Sequence, residues 1–264
     1  MAIKPNRIVL LLTTTAALAF GVPAHAGPPY LTDDPEPVDY HSWEWINFLE
    51  RDQTSANTSL AAPAMELNYG GFHNTQLHFG AQYANFSANG QATRGLGDTE
   101  LAIKYRFVQE TKRRPEFTFY PAIEVPTGNE SRGLGNGRAF YKLPFWMQKS
   151  WGPWTTYGGG GYVYNTAPGM RDSFYGGEVL QRTLNAHWTL GAELFHQCPQ
   201  MASLPPLGDA APLASSSWIW NAGGSYNFNP NLALLFSAGH SFRGDRNAVL
   251  YLGIDHTWGP DAEH

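Results

Sequence analysis

The chain has 264 residues, with 17 basic and 22 acidic side chains and a formal charge of −5. That acidic balance argues against a nucleic-acid partner, which needs a basic face. The single cysteine, Cys198, excludes an intramolecular disulfide.

Residues 1–26 read as a signal peptide. Lys4 and Arg7 form its positive start, Ile8–Phe20 its apolar run, and Ala24-His25-Ala26 an A-x-A cleavage site. Thr13-Thr14-Thr15 interrupts the run, which falls short of the roughly 20 residues a membrane-spanning helix needs. Cleavage after Ala26 removes Lys4 and Arg7 and takes the formal charge from −5 to −7. Cys198 lies far from that site and is no lipid-attachment residue. No later stretch supplies an apolar helix of spanning length, so any span must be a strand.

Residues 27–41 form a Pro-rich N-terminal segment, expected in the periplasm. Its Thr32-Asp33-Asp34-Pro35-Glu36-Pro37 stretch holds three carboxylates, but their spacing matches no standard Ca²⁺ loop. Two readings stay open for it, a Pro-stiffened lead-in and a partial plug.

From residue 42 to 258, alternating apolar and polar runs recur between turn signals, about twelve in all. They fall near Ser42–Glu50, Ala62–Tyr69, Thr75–Tyr83, Asp98–Val108, Glu116–Val125 and Ala139–Ser150. The second half continues near Trp154–Tyr164, Ser173–Arg182, His187–Phe195, Trp218–Phe228, Leu232–Ser241 and Ala248–Trp258. Odd-numbered links, such as Arg51–Leu60, Asn85–Arg94, Thr127–Arg138 and Gln197–Ser215, are long and polar or Gly-rich. Even-numbered links, such as Gly70–Asn74, Trp151-Gly152-Pro153 and Asn229-Pro230-Asn231, are short. Sorting by parity predicts an all-β, transmembrane, antiparallel up-and-down barrel. Its long loops are extracellular and its short turns periplasmic. An even strand count puts both termini at the periplasmic end.

Within strands the faces separate cleanly. In Gly95–Phe107, GLGDTELAIKYRF, Leu101, Ile103, Tyr105 and Phe107 oppose Glu100, Ala102, Lys104 and Arg106. Phe117, Phe119, Ile123 and Val125 likewise oppose Glu116, Thr118, Tyr120 and Glu124. The last strand sets Leu250, Leu252, Ile254 and Trp258 against Tyr251, Asp255 and Thr257. A soluble sandwich could show the same alternation with its apolar face inward. Three features favour lipid instead. The runs match the nine to eleven residues of a tilted membrane strand. Tyr and Trp gather at strand ends, as in an interfacial girdle. Only a closed barrel pairs every backbone group in lipid. The charged face then looks into the lumen, and Glu100, Lys104, Arg106, Glu124, Lys142, Glu178 and Arg182 are the candidate lumen-lining residues. They either line a water-filled path or form ion pairs that fill a narrow barrel. The first strand and Trp154–Tyr164 carry no clear face assignment.

Several short segments resemble a known family. They are Pro28-Pro29-Tyr30-Leu31-Thr32-Asp33-Asp34-Pro35-Glu36-Pro37 with Trp43-Glu44, then Gly95-Leu96-Gly97-Asp98, Glu124-Val125-Pro126-Thr127-Gly128 and Tyr251-Leu252-Gly253-Ile254. In these the chain is similar to the outer-membrane proteins named for the meta-pathway of phenol degradation, transporter-like β-barrels. The resemblance implies a Gram-negative outer-membrane location and, by its name, uptake of aromatic compounds. Outer-membrane barrels commonly finish on an aromatic residue that the barrel-assembly machinery, an expected partner, reads. Here Trp258 is followed by the tail Gly259–His264.

No motif assigns a cofactor, a metal or a catalytic residue. His196-x-Cys198 offers two ligands where metal sites use three or four. Gly158–Gly161 lacks the Lys-Ser or Lys-Thr pair of a phosphate loop, and Arg243-Gly244-Asp245 reads as a tight turn. Adjacent His41-Ser42 and His240-Ser241 point to opposite faces, so neither makes a hydrolase dyad within its strand. A site built across strands, such as His78 with an inward carboxylate, stays open. The expectation is a narrow, non-enzymatic channel for small solutes, partnered by the lipid bilayer. A closed structural or binding barrel and a barrel-embedded hydrolase are the alternatives.

Overall fold

The computed structural model describes residues 28–54, 57–88, 91–200, 216–244 and 247–260. The expected signal peptide and cleavage site, most of the Gln197–Ser215 link, Asp245 and residues 261–264 lie outside the described residues. The alternating runs form one 14-stranded antiparallel sheet. Its strands are β1 (Trp43–Thr54), β2 (Asn57–Phe72), β3 (Thr75–Ala88), β4 (Gln91–Leu96), β5 (Thr99–Val108), β6 (Glu116–Phe119) and β7 (Ala122–Val125). They continue as β8 (Phe140–Trp151), β9 (Trp154–Asn165), β10 (Ser173–Thr183), β11 (Trp188–Gln197), β12 (Ser217–Asn229), β13 (Leu232–Arg243) and β14 (Asn247–Trp258).

The sheet closes on itself. β1 pairs with β14 from Trp43↔Trp258 to Thr54↔Asn247, so the first and last strands leave no edge. Two staves are each built from two strands. β4 and β5 follow one another along β3, and β6 and β7 follow one another between β5 and β8. The second break falls at Tyr120-Pro121, where proline has no N–H to donate. The barrel therefore has twelve staves, with β4 and one half of the β6–β7 stave as the two extra strands.

The apolar faces point outward. Leu101, Ile103 and Phe107 are 43%, 49% and 48% exposed, whereas their neighbours Ala102 and Lys104 are 8% and 4% exposed. The same reversal of soluble-protein burial holds on β8, where Leu143, Phe145 and Met147 are exposed and Trp146 and Gln148 buried. On β14 it sets Leu250, Leu252 and Ile254 outward against Tyr251 and Asp255. At the seam, Trp43 stacks on Tyr69 at 4.3 Å and on Trp258 at 6.3 Å, a piece of the aromatic girdle. An exposed belt of this size is stable only against acyl chains.

Two expected connections turn out to be strand. Arg51–Leu60 and Asn85–Arg94 are the far ends of the β1–β2 and β3–β4 hairpins. Where a hairpin rises beyond the bilayer both faces meet water, so apolar alternation lapses although the ladder continues. The Thr127–Arg138 connection is a true loop, with one short 3₁₀ turn at Glu130–Arg132. It folds back so that the Gly128 and Asn136 amides donate to Asp98 at 2.9 and 2.7 Å.

The N-terminal segment runs inside the barrel. Tyr30, Thr32, Asp34 and Pro35 are all buried, enclosed by the inner wall. Of the two readings of this segment, the described residues have the geometry of a plug and not of an external lead-in.

Candidate solute path: a charged lumen and the segment that fills it

Strand alternation places every second side chain on the inner wall, and the inner wall seats the N-terminal segment chiefly through side chains. On β11, the Glu193 carboxylate accepts the Leu31 N–H at 3.1 Å and the Thr32 N–H at 2.5 Å. It also takes the Asn221 side-chain amide at 3.2 Å. Ser237 donates to the Pro29 carbonyl and Thr118 to the Pro35 carbonyl, each at 2.5 Å. The Val38 N–H donates to Gln76 at 2.9 Å. These contacts come from β3, β6, β11 and β13, so opposite walls grip one strip of backbone.

The wall is also recessed to fit. A Cβ at Gly177 would sit 2.0 Å from Thr32 Oγ1, and one at Gly191 would sit 2.8 Å from Tyr30 Oη. Tyr30 packs into a cluster with Tyr157 and Val179.

Charge completes the seat. Lys104 Nζ lies 3.1 Å from Asp33 and 3.6 Å from Asp34, and 4.9 Å from the Tyr120 ring centroid. Burial pushes the Asp34 carboxyl well above the usual carboxylate range, while the Lys104 ammonium opposes that shift and Asp33 and Glu36 add to it. Because the docked segment favours the protonated acid, docking is strongest below the free carboxylate's pKa. It weakens as pH rises through the raised value. Release of the segment is therefore expected to increase from acid to neutral pH, and Asp34→Asn to flatten that dependence when protease access to the segment is followed against pH. An unchanged profile in the variant would count against this role.

The remaining sequence candidates separate into two groups. Lys142 Nζ bridges Glu100 at 2.6 Å and Glu124 at 2.7 Å, across β5, β7 and β8. Arg106 Nη1 reaches Glu116 at 3.2 Å, while its Nε and Nη2 share Asn74 Oδ1. Beside Arg106, a recess of about 390 Å³ opens where the segment leaves the barrel, lined also by Pro37, Tyr40 and His73. Glu100, Lys104, Arg106, Glu124 and Lys142 thus sit on the inner wall.

Glu178 and Arg182 do not, contrary to the sequence expectation. Both are exposed on the outer face of β10, where Glu178 accepts the Thr156 hydroxyl at 2.5 Å and Arg182 lies 5.2 Å from the Trp154 ring centroid. Charge is the misleading marker in this strand. Gly176-Gly177 carries no side chain to set the phase, and the inward positions include Val179, an apolar residue, because it packs on Tyr30.

His78 points inward, with Nδ1 2.7 Å from Asn68 and Nε2 3.4 Å from Glu100. Its ring nitrogens face an amide and a carboxylate, and the ring meets Tyr120 edge-on at 5.9 Å; neither nitrogen has a serine or threonine hydroxyl partner among the described residues. Cys198 Sγ lies 3.7 Å from His196 Nε2, and the His196 ring stacks on Trp218. No group of three metal-ligating side chains occurs among the described residues.

Residues 60–251 match the profile of the family described as "Putative MetA-pathway of phenol degradation". The chain belongs to this family. Solved structures share its architecture. The COG4313 outer membrane channel from Pseudomonas putida F1 superposes with a TM-score of 0.69 at 15% identity, covering 85% of this chain and 98% of that one. The NanC porin gives 0.55 at 6% identity, covering 80% and 98%. The KdgM porin gives 0.53 at 10% identity, covering 81% and 99%. Among curated proteins, no sequence matches the chain. These neighbours are outer-membrane barrels, and the exposed apolar belt of this chain suits the same membrane.

Proposed function

We propose that the protein is a narrow outer-membrane channel for passive passage of small solutes, closed in the described conformation by its own N-terminal segment. One observation carries this reading. The segment is held by wall side chains and joins no strand ladder, so it can leave the lumen without opening the barrel. Breaking a few hydrogen bonds is a modest barrier beside unzipping a closed sheet.

The family description, with its reference to phenol, supports small aromatic solutes. The inner wall suits them, since Tyr120, Trp146, Tyr157 and Tyr175 turn rings toward the same interior. Aromatic faces offer stacking contacts to such solutes along a path too narrow for large ones.

The test is single-channel recording of the refolded mature chain in planar bilayers, paired with phenol efflux from loaded proteoliposomes. Discrete low-conductance openings are expected. Silence from a barrel intact by circular dichroism would favour a closed structural barrel instead.

A further inference from the structure

The lumen is electrostatically lopsided. On the wall formed by β5 to β8, each carboxylate cluster has a cation: Lys142 serves Glu100 and Glu124, and Arg106 serves Glu116. The wall formed by β14, β1 and β2 has none. Glu66 and Asp255 are both register partners of inward Ile46, one on each neighbouring strand. Glu44 lies two positions along on the same face, between Asn68 and Thr257. None of these three carboxylates forms an ion pair among the described residues. Glu44 accepts only an amide, from Asn68 at 2.7 Å. Lys104, on β5, makes no ion pair with these three; it faces Asp33 and Asp34, and when they leave with the segment its single charge offsets at most one of the three carboxylates.

A second feature marks this wall as more than a row of solvated acids. Asp255 is 4% exposed and Tyr251 8% exposed, both turned inward. Asp255 Oδ1 and Tyr251 Oη have no hydrogen-bond partner among the described residues. Buried oxygens of this kind demand a donor or a cation. The arrangement does not offer a chelating cage among the described residues, so a hydrated monovalent ion or an organic ammonium suits it better than a tightly bound metal.

We infer that this unpaired acidic wall, led by Glu44, Glu66 and Asp255, selects solutes by charge, admitting cationic and neutral ones and repelling anions. The inference rests on the channel reading above. It deepens that reading, because it separates neutral aromatics and organic ammonium ions from aromatic carboxylates. These carboxylates ionise once the segment leaves and water enters the lumen, and in a narrow passage with low-dielectric walls their field is focused on whatever enters.

Reversal potentials of the refolded mature chain in a KCl gradient test it, comparing wild type with Glu66→Gln/Asp255→Asn and with Glu44→Gln. These exchanges keep side-chain shape, and heat-modifiable gel mobility checks folding. Wild type should prefer K⁺ over Cl⁻. Each removed charge should lower the ratio by about sixteenfold, about fourfold for each ion, the Coulomb effect of a unit charge at roughly 5 Å in water. An anion-preferring wild type, or variants with unchanged selectivity, would overturn the inference while leaving the channel intact. Should no current flow at all, the channel reading fails separately. The wall is then judged by spermidine, which should raise the thermal midpoint of wild type and not of the double variant. Equal shifts would overturn it.

Discussion

Glu193→Ala should turn a mostly closed barrel into a frequently open one. The carboxylate accepts two backbone amides of the plug, those of Leu31 and Thr32, from a single point on β11. Hydrogen bonds to a charged acceptor contribute about 1.5–3 kcal/mol each. Losing both should shift docking by roughly 3 kcal/mol, about a hundredfold in the ratio of docked to undocked segment. Open probability in bilayers should rise accordingly, with the barrel's heat-modifiable mobility unchanged. Gly177→Val should act in the same direction by a different route, since its new side chain occupies the place of Thr32 Oγ1. Recordings indistinguishable from wild type for both variants would mean that the segment does not control passage.

Ile103→Arg should have the largest effect on stability, and its size should depend on depth. Ile103 lies mid-strand on the outer face of β5, while Phe107 lies near its end. Arginine on the lipid face costs about 2–4 kcal/mol at the bilayer midplane and about 0–1 near the interfaces. Urea titration of folding into lipid vesicles should therefore show a severe loss for Ile103→Arg and a slight one for Phe107→Arg. A soluble core has no such gradient. Equal penalties at the two positions would contradict an acyl-chain environment for this face.

Outward alternation is legible in the sequence wherever one face is uniformly apolar and the other polar, as in β5, β8 and β14. It fails in β10 because the lumen is itself partly apolar. Val179 turns inward to meet Tyr30, and that contact belongs to a segment some 150 residues earlier in the chain. β1 resists assignment for a related reason, since inward Ile46 and Phe48 pack with Tyr251 as an internal apolar cluster. β9 resists because Gly158–Gly161 offers no alternation to read.

The hairpin ends of β1–β2 and β3–β4 escape notice because solvent bathes both of their sides. The Thr32–Pro37 stretch announces rigidity and charge, but the choice between lead-in and plug depends on Glu193, Lys104 and Ser237. Only the closed sheet brings those residues together. Glu193's role as a clamp, and the clearances at Gly177 and Gly191, have no local signature for the same reason.

At the rim, the Gly70 carbonyl accepts the His41 amide at 2.7 Å and the Gly70 N–H returns to Ser42 at 3.0 Å, with Asp39 packed where a Gly70 side chain would stand. This crimp fastens the chain immediately before the strand that completes the cylinder. A released stopper therefore remains on a leash, because the Tyr30–Val38 stretch runs directly into the fastened Asp39–Ser42 turn. Its local concentration at the mouth stays on the order of millimolar. Reclosure becomes a unimolecular event, independent of how much protein the membrane holds, and each molecule resets itself.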